Sequence, residues 1–375
     1  MSAHRIEGDV LTRHGFVRGA LVHERGRITR IEGQSISEAD ARRDGGPLVL
    51  PGFIDTHVHG GGGSDTMECG DAIDHVARLH VRHGTTALLA TTMTSPMPEI
   101  EAAMRAMAAA CRQRVPGTAR VLGIHLEGPY INPGNLGAQP DFARTASLDE
   151  VRALNAIAPI RLITLAPEVS GMLDLIAPLR DAGFIVQLGH TLGSYEDAIA
   201  ALAQGAAGFT HLFNAMSGLH HRAPGMAGAA LAHAQYAEII PDLVHVHPGA
   251  LRTALRAIPN LFCVTDSTAA AGMPDGEYRL GRHRVTKCLG GVRLPDGTLA
   301  GSTLTMDEAL RNLVALGLTL QEASLRVSTH AANYLGLTDR GRLAEGAYAD
   351  LVTLDAALRL TRVVAEGEDI DVADA

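Results

Sequence analysis

Short apolar runs alternate with amphipathic segments along most of the chain. Eight runs have the length of buried strands, and the segments between them place apolar residues every three to four positions, which predicts helices. The predicted strands cover residues 48–57, 85–92, 121–127, 161–166, 184–190, 207–212, 238–246 and 261–266. The predicted helices cover residues 72–83, 99–112, 149–158, 171–182, 195–204, 249–258 and 306–316. This alternation predicts an α/β fold with a (β/α)8 TIM-like barrel.

The two ends of the chain have a different pattern. Both contain short apolar stretches separated by charged turns, at residues 15–22 and 27–31 and again at 349–354 and 358–365. Such stretches predict short antiparallel strands. We therefore expect a small β-sandwich domain built from residues 1–47 and 340–375, with the catalytic barrel of residues 48–339 inserted between them.

Composition narrows the class of protein. A chain of 375 residues suits one barrel with a small appendage, and 46% hydrophobic residues can fill a large core. The net charge of −9 argues against a nucleic-acid or anionic-membrane surface. The four cysteines are far apart, there is no apolar signal core, and no apolar run approaches the roughly 20 residues of a membrane span. These features favour a cytoplasmic protein with reduced thiols.

Two histidines follow the first predicted strand. His57 and His59 are two residues apart and would point to the same side of an extended strand, into the barrel lumen. Two imidazoles on one face suit a zinc-like ion. The alternative is a pair of solvated histidines, since the chain contains 18. The preceding segment PGFID favours the metal interpretation.

Further chemistry lies at the ends of later strands, where a parallel barrel carries its active site. Glu127, His190 and His211 would bring a carboxylate and two imidazoles together, which predicts a divalent metal site. Glu127 could instead pair with an arginine. Asp266 fits a general base that takes a proton from an attacking water and later protonates a leaving amine. Its alternative role is to orient a ligand histidine.

The lysine content limits how two metals could be bridged. Lys287 is the only lysine and lies beyond the last predicted barrel strand. No middle strand can therefore supply a carbamylated lysine. Any bridging ligand must be an ordinary carboxylate, and Glu127 is the candidate.

Several segments, in order along the chain, resemble one family. They are PGFIDTHVHG, GIHLEGPYI, LAPE, GHT, THLFNAM followed by HRAPG, VTDS, AGSTLTMDEAL and GRLAEGAYADLVTLD. Together they are similar to the N-acetylglucosamine-6-phosphate deacetylases of the amidohydrolase superfamily. HLEGP and THLFNAM are specific to this family, whereas HxH and the ADLV tail occur across the superfamily.

The resemblance implies hydrolysis of the acetamide of N-acetyl-D-glucosamine 6-phosphate to D-glucosamine 6-phosphate and acetate. It implies that Glu127, His190 and His211 hold the principal metal, with Zn²⁺ the first expectation and Fe²⁺ or another divalent ion the alternative. One or two ions would bind, the second on His57 and His59.

The resemblance also implies roles for other residues. Asp266 would be the catalytic acid and base, and His245 would polarise the carbonyl or bind the sugar. The implied substrate-binding residues are Ala138, Gln139, Asn214, Ala215, Arg222, His245, Leu299, Ala300 and Gly301. Arg222 matches an arginine that reaches the phosphate from the other subunit of a homodimer.

Some positions depart from the family pattern. Gln139 stands where the family often has a histidine, and it cannot carry charge. Ala223 replaces the glutamate of the HREPG motif, beside the phosphate arginine. His245 and His247 would share a strand face and form another metal-binding pair, although we interpret His245 as facing the substrate.

Three other functions stay open at this point. A cyclic-amide hydrolase of the dihydroorotase or hydantoinase kind shares HxH and the barrel, but the missing middle-strand lysine and HLEGP count against it. A deacetylase of N-acetylgalactosamine 6-phosphate or another N-acyl sugar phosphate fits the same motifs. A non-catalytic sugar-phosphate-binding protein would not need Asp266.

Overall fold

The computed structural model of the protein describes residues 3–288 and 290–372. The strands are β1 His4–Thr12, β2 Gly15–Glu24, β3 Arg27–Ile36, β4 Leu48–Pro51, β5 Phe53–Val58, β6 Gly60–Gly61, β7 Ser64–Asp65, β8 Thr85–Thr91, β9 Arg120–Glu127, β10 Ile160–Leu165, β11 Ile185–Leu188, β12 Gly208–Phe209, β13 Tyr236–Ile239, β14 Asn260–Cys263, β15 Gly276–Leu280, β16 His283–Cys288, β17 Gly291–Arg293, β18 Leu351–Leu354, β19 Leu360–Ala365 and β20 Glu368–Ile370. The helices are α1 Glu38–Arg43, α2 Ala72–Arg82, α3 Met97–Arg112, α4 Leu148–Ile157, α5 Met172–Asp181, α6 Tyr195–Gln204, α7 Gly225–His233, α8 Pro248–Ala257, α9 Met306–Ala315, α10 Leu320–Ser324 and α11 His330–Tyr334, with a π-helical turn at Leu325–Thr329.

Eight parallel strands form the barrel. Six of them pair in the order β12-β11-β10-β9-β8-β5, and β13 pairs with β14. Backbone hydrogen bonds join the two groups: Leu212 N donates to Glu238 O at 2.8 Å, and Asp266 N donates to His57 O at 2.9 Å. The closed circle confirms the predicted (β/α)8 barrel.

All seven predicted helices are present, each within two residues of its predicted ends. Caps explain part of this agreement, because the side chains of Ser147 and Ser194 accept backbone N–H groups at the starts of α4 and α6. The short helices α1, α10 and α11 were not predicted, and neither was the longer α7. Its segment GMAGAALAH is small and apolar on all sides, so it lacks the polar face by which a helix is recognised.

Five predicted strands extend too far: the strands predicted to end at residues 190, 212 and 266 end at Leu188, Phe209 and Cys263, and two others differ more. The run at residues 48–57 is divided, since β4 pairs with β1 and β18 outside the barrel and the first barrel strand begins only at Phe53. The run at 238–246 ends at Ile239. A continuously buried apolar run carries no signal that tells one sheet from the next.

The terminal segments form one seven-stranded sheet in the order β20-β19-β18-β4-β1-β2-β3. Backbone hydrogen bonds join its edge strand β3 to the segment before β18: Ile28 N donates to Ala347 O, and Gly346 N donates to Ile28 O, each at 2.8 Å. Apolar residues of this sheet, including Ile6, Leu21 and Ile28, form a core cluster of their own. The terminal segments therefore form one sheet with its own core, as expected of a small β domain. Its division from the barrel at residues 47 and 340 stays a prediction, and β4 joins the terminal sheet.

A buried ion cluster ties this sheet to the barrel. Arg340 contacts Asp350 and Glu366. The Glu366 carboxylate also lies 2.9 Å from Arg120, at the start of the barrel strand β9. Because a buried charge is costly unless it is paired, these residues fix how the sheet sits on the barrel.

A three-stranded antiparallel flap, β15 to β17, is inserted between β14 and α9 and was not predicted. Leu280, Val285 and Val292 of the flap pack on Met93 and Ala300 in a separate apolar cluster. Lys287 lies on β16, where its Nζ donates to Met273 O at 2.6 Å. The only lysine is thus used to hold the flap.

No helix in residues 3–288 and 290–372 combines the length and the hydropathy that a membrane crossing requires.

His80 of α2 makes stability depend on pH. Its ring is fully buried, its Nε2 donates to Gly60 O at 3.0 Å, and burial lowers its pKa from 6.5 to about 4. Below pH 6.5 the unfolded chain binds a proton that the folded chain does not. The contribution of His80 to the free energy of unfolding is therefore fully present above pH 6.5 and is lost as the pH falls towards 4. We expect this residue alone to lower the free energy of unfolding by about 2 kcal/mol between pH 7.5 and pH 5.

Chemical denaturation at both pH values checks this, with His80→Gln as the control that keeps a donor but cannot be protonated. The variant should lose about 2 kcal/mol less than the parent over this interval. Equal losses in the two proteins would contradict the assignment to His80.

Candidate active site

A cavity of about 300 Å³ opens at the C-terminal ends of the barrel strands. Most of the predicted site residues line it: His59, Glu127, Ala138, Gln139, His190, His211, Asn214, Ala215, His245, Asp266, Leu299 and Gly301. His57 and Ala300 are fully buried behind this lining. The barrel thus brings the predicted strand-end chemistry together in one place.

The Glu127 carboxylate and two imidazoles form a compact donor set. Glu127 Oε1 lies 3.2 Å from His190 Nε2 and 3.0 Å from His211 Nε2, and these two nitrogens are 3.2 Å apart. Donors about 2.0–2.2 Å from a shared zinc-like ion lie roughly 3.0–3.5 Å from one another. His190 Nδ1 is 3.3 Å from Asn135 O, which leaves its Nε2 lone pair for an ion. The set fits a divalent metal.

A second donor set shares Glu127. Its Oε2 lies 3.1 Å from His59 Nε2 and 3.4 Å from His57 Nε2, and the two histidine nitrogens are 3.1 Å apart. Asp266 Oδ1 is 3.3 Å from His59 Nε2. The two oxygens of Glu127 therefore face two neighbouring sets of ligands, as a bridging carboxylate would.

Gln139 holds the Glu127 carboxylate in place. Its Nε2 donates to Glu127 Oε2 at 2.7 Å, and its Oε1 accepts from Thr94 N at 2.7 Å. Its amide is therefore engaged at both ends by the protein. A substrate contact by Gln139 stays a prediction, whereas its contact with Glu127 was not foreseen.

Three functional residues lie in turns, not in the strands predicted to contain them. His190, His211 and Asp266 have φ of 47°, 30° and 49°, and the strands before them end at Leu188, Phe209 and Cys263. The left-handed region is unfavourable for residues other than glycine. Such strain concentrates where the surrounding structure must aim a side chain, which supports a functional role for these residues.

His245 also lies in a loop, since β13 ends six residues before it. Its Nδ1 is 2.6 Å from Asp242 Oδ2. Burial would lower the pKa of His245, but the hydrogen bond and charge of Asp242 raise it above its ordinary value. The predicted pairing of His245 with His247 on a strand face is wrong, because His247 is exposed and caps α8 by accepting from Gly249 N.

Two buried side chains, His125 and Glu238, lie against the His57 ring. Burial lowers the pKa of His125 to about 3, and its two ring nitrogens contact Thr56 O and Thr164 Oγ1. His125 is thus a neutral core residue. Glu238 lies 3.1 Å from His57 Nδ1. Burial would raise its pKa, but the hydrogen bond and charge of His57 keep that pKa below the ordinary value.

The sequence analysis missed Glu238, Asp242 and the flap residue Leu280, which lines the cavity. Glu238 had a signal, since it is an acidic residue within the apolar run AEII. Asp242 had one too, because an aspartate three residues before a histidine can accept backbone N–H groups and fix the loop. Leu280 had none, because only the folding of the flap over the barrel brings it to the cavity.

Arg222 lies outside the cavity. It is exposed, and its Nη1 is 2.7 Å from His221 Nε2. None of the described residues that line the cavity is an arginine or a lysine. The predicted phosphate contact of Arg222 across a dimer interface stays a prediction.

Gly301 lies directly against Asp266. Its φ is +66°, and a Cβ there would be 2.8 Å from Asp266 O and 2.7 Å from Thr268 Cγ2. We expect Gly301→Ala to displace Asp266 and to lower kcat/KM by about 100-fold. The matched control is Gly297→Ala in the same loop, with φ of +91° but nothing within 4 Å of the added Cβ. Steady-state kinetics of both variants check this, and equal losses would contradict it.

The chain is similar in sequence and fold to known proteins. The amidohydrolase family model matches residues 48–373. The N-acetylgalactosamine-6-phosphate deacetylase of Escherichia coli O157:H7 is 41% identical over 342 residues, covering 89% of each chain. The N-acetylglucosamine-6-phosphate deacetylase of Lysinibacillus sphaericus is 38% identical over 336 residues, covering 88% of this chain and 87% of the relative.

A solved structure supports the same relationship. The Mycobacterium smegmatis N-acetyl-D-glucosamine-6-phosphate deacetylase, as an aspartate-to-alanine variant in complex with N-acetyl-D-glucosamine-6-phosphate, superposes with a TM-score of 0.90 at 33% identity. The match covers 99% of this chain and 100% of the other. These findings confirm the resemblance identified from the motifs, and the chain belongs to the amidohydrolase family.

Proposed function

We propose that this amidohydrolase removes the acetyl group from an N-acetylhexosamine 6-phosphate, giving the hexosamine 6-phosphate and acetate. The observation that carries the proposal is the convergence of the Glu127 donor set, Asp266 and His245 on one cavity. About 300 Å³ is at the lower end of ligand pockets and suits a monosaccharide derivative. Relatives named for this reaction support the substrate class.

Glu127, His190 and His211 would hold the principal metal, with Zn²⁺ favoured by the mixed carboxylate and imidazole donors. Fe²⁺ or another divalent ion is the alternative. A second ion would use His57 and His59 with the other oxygen of Glu127. When bound, such an ion lowers the pKa of a coordinated water and polarises a carbonyl oxygen.

The proton transfers fall to Asp266. Its carboxylate lines the cavity beside His57 and His59, with Oδ1 3.3 Å from His59 Nε2. Asp266 takes the proton of the attacking water and delivers it to the amine nitrogen as the C–N bond breaks. One carboxylate thus serves as base and then as acid.

His245 assists at the carbonyl. Asp242 accepts the proton of its Nδ1, so Nε2 is the ring atom left for a substrate. Because Asp242 raises the pKa of His245, the ring keeps a proton that it can donate to the developing oxyanion or to a sugar hydroxyl.

The phosphate needs a positive charge that the described cavity lining does not supply. Asn214 and Ala215 line the cavity and would contact the phosphate by neutral hydrogen bonds. Arg222 of the partner subunit in a homodimer would provide the guanidinium, which binds phosphate through two parallel hydrogen bonds. Backbone groups of Leu299, Ala300 and Gly301 would complete the pocket.

A cytoplasmic location also stays a prediction.

The epimer is the remaining choice. We favour the glucosamine substrate because the HLEGP and THLFNAM segments resemble that family. The galactosamine epimer is the second candidate, since an N-acetylgalactosamine-6-phosphate deacetylase is 41% identical to this chain.

Acetate release tests the reaction. We expect the zinc-loaded protein to release acetate from N-acetylglucosamine 6-phosphate faster than from N-acetylgalactosamine 6-phosphate, and far faster than from unphosphorylated N-acetylglucosamine. Asp266→Asn should lower kcat by about 10²–10⁴-fold, because the amide cannot accept the water proton. Preference for the galacto sugar would support the second candidate. No release from any substrate by metal-loaded protein would contradict the proposal.

Mixing two impaired variants tests the role of Arg222. Arg222→Ala should lower kcat/KM by about 10–100-fold through the lost charged hydrogen bonds. If Arg222 acts across the interface, refolding Arg222→Ala together with Asp266→Asn restores one complete site per mixed dimer. Activity should then return to about a quarter of the parent, since half of the dimers are mixed and each has one of two sites. Activity no greater than the mean of the separate variants would place Arg222 in its own site or outside both.

A further inference from the structure

Glu238 is a buried carboxylate outside the cavity lining. It lies on β13 with no exposed surface. Its Oε1 accepts a hydrogen bond from Thr56 Oγ1 at 2.7 Å, and its Oε2 is 3.1 Å from His57 Nδ1. A buried carboxylate is costly unless it is hydrogen-bonded and faces a positive charge, so its position needs an explanation.

We propose that Glu238 is a positioning residue that makes His57 a metal ligand and so builds a second metal position at His57, His59, Glu127 Oε2 and Asp266. The inference rests on the proposed metal-dependent function and extends it to how the second ion is held. Neither the motifs nor the named relatives assign a role to Glu238.

Glu238 decides which nitrogen of His57 is free to bind an ion. A ring that binds an ion must give up one proton and keep one N–H, and the carboxylate of Glu238 can only accept a hydrogen bond, so the remaining proton sits on Nδ1. The Nε2 lone pair then points to the shared centre, 3.1 Å from His59 Nε2 and 3.4 Å from Glu127 Oε2. A carboxylate behind a ligand histidine also increases the basicity of the ring.

Among the four ligand histidines, His57 alone has a carboxylate at its Nδ1. His190 Nδ1 faces a backbone carbonyl, and the buried Nδ1 atoms of His59 and His211 have no hydrogen-bond partner in the described part of the chain. His59 therefore has no such orientation of its own. The second position depends on His57, and through it on Glu238.

A different interpretation is that Glu238, His57 and His125 themselves bind an ion, because their donor atoms lie within 4.8 Å of one another. The contacts of His125 argue against it. Its Nδ1 is 3.0 Å from Thr56 O and its Nε2 is 2.8 Å from Thr164 Oγ1, so both ring nitrogens are already engaged. Glu238 thus supports an ion held on the far side of the His57 ring.

Glu238→Gln tests the proposal, because it keeps the volume and an acceptor for His57 Nδ1 but removes the charge. Metal-free parent and variant are titrated with Co²⁺, and both bound ions per chain and visible absorption are recorded. We expect the parent to bind two ions. The variant should bind the first with a similar Kd and the second about 10–100-fold more weakly.

Asp350→Asn is the control for loss of a buried carboxylate in general. Asp350 is buried and pairs with Arg340 beside the terminal sheet, and its side chain contacts none of the described residues that line the cavity. The Asp350→Asn variant should bind both Co²⁺ ions as the parent does.

Thr56→Val is a second test variant, which leaves the charge of Glu238 but removes one of its hydrogen bonds. It should weaken the second ion by a smaller factor, and it replaces Glu238→Gln if that variant does not fold.

Two results would overturn the proposal: an unchanged second Kd in the test variants, or a parent that saturates at one ion. Acetate release measured on the same samples separates this failure from failure of the proposed function. If the parent releases acetate but binds only one ion, the proposed function is supported and the proposed role of Glu238 is contradicted. If the parent binds two ions, the Glu238→Gln variant binds the second one weakly, and the parent releases no acetate, the positioning role is supported and the proposed function is contradicted.

Discussion

The site depends on one constraint, the burial of the Glu127 carboxylate. Only 1% of Glu127 is exposed, and its two oxygens lie within 3.4 Å of four imidazole nitrogens. Burial would raise its pKa, but the charges of His57 and His190 and the histidine hydrogen bonds hold that pKa well below the ordinary value. A carboxylate in this setting is stable only when positive charge lies beside it, whether as an ion or as protonated rings. The other contacts of the site can be understood as ways to meet that need.

The barrel supplies the geometry for this centre. The candidate ligands lie on β5 and β9 or in the turns that follow β5, β11, β12 and β14, and parallel pairing brings these positions to the same side of the molecule. The turns after the last three strands place His190, His211 and Asp266 in left-handed backbone conformations. Such conformations are unfavourable by about 1–3 kcal/mol each, and the packed strands beneath them must offset that cost. The precision of the site is therefore maintained by the stability of the barrel.

Hydrogen bonds from further side chains hold Glu127, His57 and His245 in place. Gln139 donates a hydrogen bond to one oxygen of Glu127. Glu238 accepts one from Nδ1 of His57, and Asp242 accepts one from Nδ1 of His245. Each of the three donates to or accepts from a functional side chain and has a further partner in the protein. Fixed hydrogen-bond partners of this kind set which ring nitrogen carries the proton, and this decides whether a histidine can bind a metal or donate to a substrate.

The sequence by itself determined the alternation of strands and helices, and with it the barrel and the side of the barrel on which the chemistry lies. Period and capping are local properties, so seven helices were predicted within two residues and Glu127 was placed at the end of its strand, with His190, His211 and Asp266 two or three residues beyond theirs. Only the tertiary structure decided that Leu48–Pro51 leaves the barrel, that His245 sits in a loop, and that Glu238 meets His57 from 181 residues away. These depend on which buried segments pack together, and an apolar run has the same pattern in either sheet. Hydrogen bonds between distant residues leave no periodic trace in the chain, so they could be identified only once the fold had brought their partners together.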